Sequence, residues 1–188
     1  GPLSKQKESG SGSSFILSSK TSYLDKISKS IYSYIGDEGL PYSFLDLYGK
    51  ASFTGSNGSK LNLFGFNFSD DVLFSSLVNY SWSSYGFGSN FILIPSGSSI
   101  LVEGNFAFSN YDTEQTNVGA KPKLSSINGF NSGLDFTYFL EGESQIKYGI
   151  EVLGFGNSLN FYTQSNILVD HNDNTTEFAG FLKYKHVG

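Results

Sequence analysis

The chain has 188 residues, within the roughly 100–200 typical of one domain, and is read as a single unit over 1–188. It contains no Cys, which excludes a disulfide scaffold and a thiolate metal site. Its 12 cations are all Lys, set against 17 Asp and Glu for a net charge of −5, which argues against a nucleic-acid partner. No run of 18 apolar residues is present, so no helical membrane span is expected. The first residue is not Met and no charged-then-apolar leader follows, so the chain reads as a mature form or a fragment.

Aromatics make up 16 % of the chain, with 18 Phe and 12 Tyr, alongside 22 Gly and only 4 Pro. Phe and Tyr favour pleated, half-covered surfaces, and Gly disfavours helix, so the composition predicts an all-β chain. The segmentation gives eight strands, at about 14–25, 42–54, 60–69, 78–94, 99–112, 125–140, 145–162 and 174–187. In the second strand Leu45, Leu47, Gly49, Ala51 and Phe53 alternate with Asp46, Tyr48, Lys50 and Ser52. The fifth sets Ile100, Val102, Gly104, Phe106 and Phe108 against Leu101, Glu103, Asn105 and Ala107. Ile146, Tyr148, Ile150 and Val152 repeat the pattern against Lys147, Gly149 and Glu151, as do Phe178, Gly180, Leu182 and Tyr184 against Ala179, Lys183 and Lys185. A period of two with one apolar side means a strand between two different environments.

Two strands break the rule. Val78, Tyr80 and Trp82 give way to Tyr85, Phe87, Phe91 and Leu93, and Val152 gives way to Leu159 and Phe161. Both parity switches fall at Gly-containing stretches, which predicts a β-bulge at each. The third strand, with Leu61 and Leu63 followed by Phe64, Phe66 and Phe68, leaves its register open.

The connections divide into tight turns at Gly55–Ser59, Pro95–Ser98 and Glu141–Ser144, and longer polar segments at 26–41, 70–77, 113–124 and 163–173. Strict alternation of short and long connections is the pattern of an outer-membrane barrel. A tilted strand crosses a bilayer in about 9–11 residues, a length these strands reach. Tyr23, Tyr42, Phe44, Tyr80, Trp82, Tyr138, Tyr162 and Tyr184 are then candidates for aromatic girdles. The fold class expected is an antiparallel up-and-down transmembrane β-barrel of eight strands, either a closed small barrel or a segment of a larger wall. Asp46, Lys50, Glu103, Asp135, Lys147, Glu151 and Lys183 are the lumen-facing candidates, with Lys20 and Lys185 beside them.

No chemistry-bearing motif rises above this architecture. Asp170-His171-Asn172-Asp173 offers metal ligands in a predicted loop, but a polar surface loop is the simpler reading, so no metal or cofactor is expected. The only two His are His171 and His186, and among so many Ser their proximity to a hydroxyl carries no signal, so no enzyme is expected.

The stretches GPLSKQKESGSGSSFILSSKTSYLD and FLDLYGKASFTGSNGSKLNLFGFNFSDD resemble the first barrel strands of TonB-dependent outer-membrane receptors of the Bacteroidetes type. VEGNFAFSNYD and INGFNSGLDFTYFL look like the hairpins that follow, so the resemblance covers nearly the whole chain as a style of strands and turns. Gly1-Pro2-Leu3-Ser4 also reads as the remnant of a cleaved tag. The resemblance implies a place in the bacterial outer membrane, lipid as the surrounding partner, and a plug domain and TonB as partners of a full-length uptake receptor. Its family has a barrel of about 22 strands, so eight strands form part of such a wall. The alternatives are a standalone eight-stranded outer-membrane barrel with a structural or adhesive role, and a soluble lipocalin-like barrel with an apolar lumen.

Overall fold

The structure is a computed structural model that describes residues 10–22, 24–31, 42–74 and 77–186. Residues 1–9, 23, 32–41, 75–76 and 187–188 lie outside these residues, and with them the girdle candidate Tyr23 and the start of the resemblance. Eight strands run in chain order: β1 (Gly12–Thr21), β2 (Tyr42–Thr54), β3 (Lys60–Phe74), β4 (Val78–Leu93), β5 (Ile100–Asn117), β6 (Lys123–Phe139), β7 (Gln145–Tyr162) and β8 (Leu168–Lys185). Each pairs antiparallel with the next, giving one up-and-down sheet ordered β1 to β8. β1 and β8 are its two edges, so the sheet is open rather than closed on eight strands. One helix, α1 (Leu24–Ile31), follows β1, and the Ser22 hydroxyl accepts a hydrogen bond from the Leu24 N–H at 3.2 Å. A hydroxyl just before the first helical turn relieves an orphan donor there.

The expected bulges are absent. β4 pairs β3 and β5 without a slip through Gly86–Asn90, and β7 pairs β6 and β8 without a slip through Gly154–Ser158. The glycines answer a packing need instead. Phe64 lies over Gly88, Phe66 over Gly86, Phe91 over Gly104, Phe130 over Gly154, Phe155 over Gly129 and Phe181 over Gly149. In each case a ring from one strand occupies the space where its cross-strand partner would carry a Cβ.

The strict alternation of connection lengths is also corrected. The turns at 55–59, 94–99 and 140–144 sit at one end, here the lower end, and the connections at 75–77, 118–122 and 163–167 at the other are equally short. Only the segment between β1 and β2 is long. Residues 70–74, 113–117 and 168–173, expected to be connection, belong to strands. Gly58, with φ +86°, turns the 55–59 connection, and Asn166, with φ +58°, does the same at 163–167.

No large apolar side chain is fully buried among the described residues. The chain exposes 13017 Å², against about 8,800 Å² for a compact monomer of its mass. Stability must therefore come from strand pairing, from ring-on-glycine contacts, and from whatever covers the two faces. A Cβ at Gly88 would stand 2.6 Å from the Phe106 carbonyl oxygen and the Phe64 ring, whereas one at Gly49 meets nothing closer than 4.0 Å. Gly88→Ala is expected to destabilise the folded chain by about 1–3 kcal/mol. Gly49→Ala should be neutral or stabilising by up to about 1 kcal/mol. Urea unfolding of the two variants, each in the medium that keeps the parent folded, checks the difference.

Candidate functional site

Because every pairing runs unbroken, the registers join into rows that cross all eight strands. Leu17, Gly49, Gly65, Phe87, Phe108, Phe130, Gly154 and Thr176 form one such row. On that face, called here the Phe106 face, every strand position from this row down to the lower turns is free of Asp, Glu, Lys and His. Phe106, Ile150 and Phe178 stand in this band, 38 %, 61 % and 78 % exposed. Phe87 bridges Phe106 and Phe108, with ring centroids 6.0 Å and 5.6 Å away. The dry interior of a lipocalin-like barrel is not formed by these side chains.

One step up the same face the chemistry reverses. The next row reads Ser19, Leu47, Asn67, Tyr85, Asn110, Asn128, Gly156 and Asn174, and above it come Asp71, Asp112, Glu114 and Asp170. A cleft of about 640 Å³ opens there across β3 to β8, lined by Ser69, Asp71, Ser83, Asp112, Glu114 and Asp170 among others, with no Lys in its wall.

The opposite face runs the other way round. Asp46, Lys50, Glu103, Asp135, Lys147, Glu151 and Lys183, the seven lumen-facing candidates, all project to this side, here the Glu103 face, with Lys20 and Lys185. Four of them meet. Glu103 and Asp135 stand directly opposite each other, a repulsive pairing, and Lys147 bridges them at 3.2 Å and 3.0 Å. Asn131 donates to Glu151 at 2.7 Å and accepts a hydrogen bond from Asn105. Lys183 lies opposite Lys147, a like-charge pairing, and Asp46 and Lys50 sit on β2, apart from the cluster. The amides Asn62, Asn90, Asn105 and Asn131 complete the polar lower half of this face, with Asn62 donating to Asn90 at 2.7 Å. Their alternation with apolar neighbours was the signal that charge counting passed over.

Higher up, the Glu103 face becomes aromatic. Phe66 and Phe155 share a row, Phe68 and Tyr111 approach to 6.3 Å across the buried Ser84, and Trp82, Leu159 and Phe161 lie above. Both parity switches now have a cause: on β3 to β7 the two faces exchange character at one row, so unslipped strands change their apolar parity there, whereas β2 keeps Leu45 and Leu47 on the Phe106 face above it. The third strand follows the same rule, with Leu61 and Leu63 on the Phe106 face below and Phe66 and Phe68 on the Glu103 face above, whereas Phe64 sits lower on that face, in the row of Lys50 and Asn131. The girdle candidates split accordingly: Tyr138, Tyr162 and Tyr184 lie on the Phe106 face, whereas Tyr42, Phe44, Tyr80 and Trp82 lie on the other. Tyr42, at the upper end of β2, has its phenol raised above the usual range, mainly by desolvation and then by Asp70 and Asp46.

Asp170-His171-Asn172-Asp173 is part of β8, not a loop. Strand alternation sends Asp170 and Asn172 to one face and His171 and Asp173 to the other, and each pair is internally bonded, at 2.9 Å and 2.6 Å. Among the described residues no group of three or more His, Cys, Asp or Glu is arranged to hold a metal ion.

Lys147→Met should expose the Glu103–Asp135 repulsion and cost about 1 kcal/mol, a value typical of a partly exposed bridge. Adding Asp135→Asn should recover most of that loss, as read from urea midpoints of the single and double variants. No family model, curated protein or solved structure matches the chain.

Proposed function

We propose that the chain forms wall of an outer-membrane β-barrel wider than eight strands, of the TonB-dependent uptake-receptor type, with the Phe106 face against lipid. The observation that carries this reading is the uncharged band on that face, continuous across all eight strands. On β5 it runs from Ile100 to Phe108, nine residues or about 27 Å of strand, a length that spans a bilayer when tilted. A Lys facing mid-bilayer costs about 2–4 kcal/mol, so the confinement of charge to the other face has an energetic reason there. The exchange of faces fits the same picture. Above the lipid the outer side meets water and carries Asn, Asp and Glu, while the inner side is free to become aromatic. The open edges favour a wall with further strands over a barrel closed on eight. In this wall the Lys147 cluster lines the lower lumen, and the upper strands and their connections form the outer rim that meets a solute.

The test uses Ile150→Lys on the band and Ala179→Lys on the Glu103 face at a similar height. In vesicles, Ile150→Lys is expected to lower unfolding stability by about 2–4 kcal/mol and Ala179→Lys by less than about 1 kcal/mol. Equal tolerance of both, or a parent chain that stays folded and monomeric in plain buffer, overturns the lipid assignment.

A further inference from the structure

The three lower turns do not lie on one hydrogen-bonded row. From the row through Gly49 and Gly65, β2 and β3 run down five residues, to Thr54 and Lys60. From Phe87 and Phe108 on the same row, β4 runs down six, to Leu93, and β5 eight, to Ile100. From Phe130 and Gly154, β6 and β7 run down nine, to Phe139 and Gln145. Each hairpin therefore reaches about two residues lower than the one before, or one residue per strand. With a rise of about 3.3 Å per residue and strands about 4.8 Å apart, the line through the turns crosses the rows at about 35°.

The sense of that slope separates the two faces. β5 and β7 both run upward. Val118, in phase with the Phe106 face at the top of β5, donates its N–H back toward β4, to the Leu77 carbonyl. Thr163, in phase with the Glu103 face at the top of β7, donates forward toward β8, to the Ile167 carbonyl. In an upward strand of L-residues, a side chain facing the viewer has its own N–H and C=O on the viewer's right. Seen from the Phe106 face with the turns down, the strands therefore follow one another from right to left. Neighbouring strands twist by roughly −20 to −25°, which makes every strand of a closed wall lean up to the right when seen from outside. Rows then climb toward the left, and turns that step down one residue per strand come out level only if the Phe106 face is outside. With the Glu103 face outside, the turn after β6 would hang about 22 Å below the turn after β2.

We propose that the Phe106 face is the outer side of a wall whose strands lean about 35° from the membrane normal, so that its partner, the bilayer, crosses the sheet obliquely rather than along the rows. The apolar run on the downward strands follows the same incline. It starts at Leu45, four residues above the Gly49 row, at Tyr85, two above, at Phe130, on the row, and at Phe178, two below. β1 and β3 stop short of it, at Leu17 and Leu63. Leu45 to Thr54 and Phe130 to Phe139 each descend nine residues. At this lean that is about 24 Å of height, against about 25 Å for the apolar band of membrane barrels. The partner's identity rests on the lipid reading above, whereas the lean and the choice of outer face come from turns, hydrogen bonds and chirality.

The chain has no Cys, so single nitroxide labels on introduced thiols report depth for the full chain in phosphatidylcholine vesicles. Phe53 and Leu134 share a row four strands apart, and the lean places Leu134 about 11 Å further into the bilayer. Tyr138, lower on β6, shares the depth of Phe53 instead. Accessibility to oxygen and to a water-soluble nickel chelate is measured for Phe53→Cys, Leu134→Cys and Tyr138→Cys. Equal depth for the Phe53 and Tyr138 labels, with the Leu134 label about 11 Å further in, is the expected result. Leu61→Cys, Ile150→Cys and Ile146→Cys, the corresponding positions on β3 and β7, repeat the measurement should a variant fail to fold. Equal depth for the row-mates Phe53 and Leu134, or Leu61 and Ile150, overturns the lean and leaves the lipid reading in place. Labels that all meet the chelate as freely as in water overturn the lipid reading, and the oblique bilayer with it.

Discussion

A single β-layer has no inside. Among the described residues no helix layer or second sheet packs on it, so each face meets its surroundings directly, and the side chains at every height must suit what they touch. Most folded domains reconcile sequence and solvent by hiding one face of each element. Here neither face is hidden, and the requirement is met by dividing the sheet by height: uncharged over charged below, polar over aromatic above. That division, more than any single contact, organises the other features of the structure.

Register is what makes the division possible. A slip of one residue in any strand would send its whole side-chain set to the wrong face. The seven pairings hold one register each, and phenylalanine rings settled on glycines help to pin them, since displacement would drive a ring into a side chain. The same device sets the spacing on the charged face. Gly149 stands opposite Asp135, and the Asp135 carboxylate and Phe181 ring fill the space a Cβ would take there, beside the point where Lys147 reaches across β6 to Glu103. Three strands are tied by one ammonium group, and two carboxylates that would repel each other are held in place.

Much of this was legible along the chain. Alternation in the segments around Leu47, Phe106, Ile150 and Phe178 gave the strands and their apolar sides, and it put all seven charged candidates on one side. Other features were misread for a common reason: polarity was taken as a sign of local structure. Asp170–Asp173 was read as a loop because it is polar, yet a strand with two wet sides needs no apolar alternation. The parity switches near Gly86 and Gly154 were read as bulges because a uniform environment on each face was assumed. The amides do not show in a count of charged residues, and α1 begins at Leu24 and Asp25, which the alternation assigns to the end of the first strand, and continues into a segment read as connection.

The sequence by itself determined which residues form strands and which side chains share a face, because a period of two is a property of the extended backbone alone. Which height separates one chemistry from the other, which of the charged groups touch, and the fact that both edges stay unpaired were decided by tertiary structure. These depend on how far each strand is staggered against its neighbour, and that stagger is set by contacts between residues distant in the chain, such as Lys147 with Glu103 and Phe91 with Gly104.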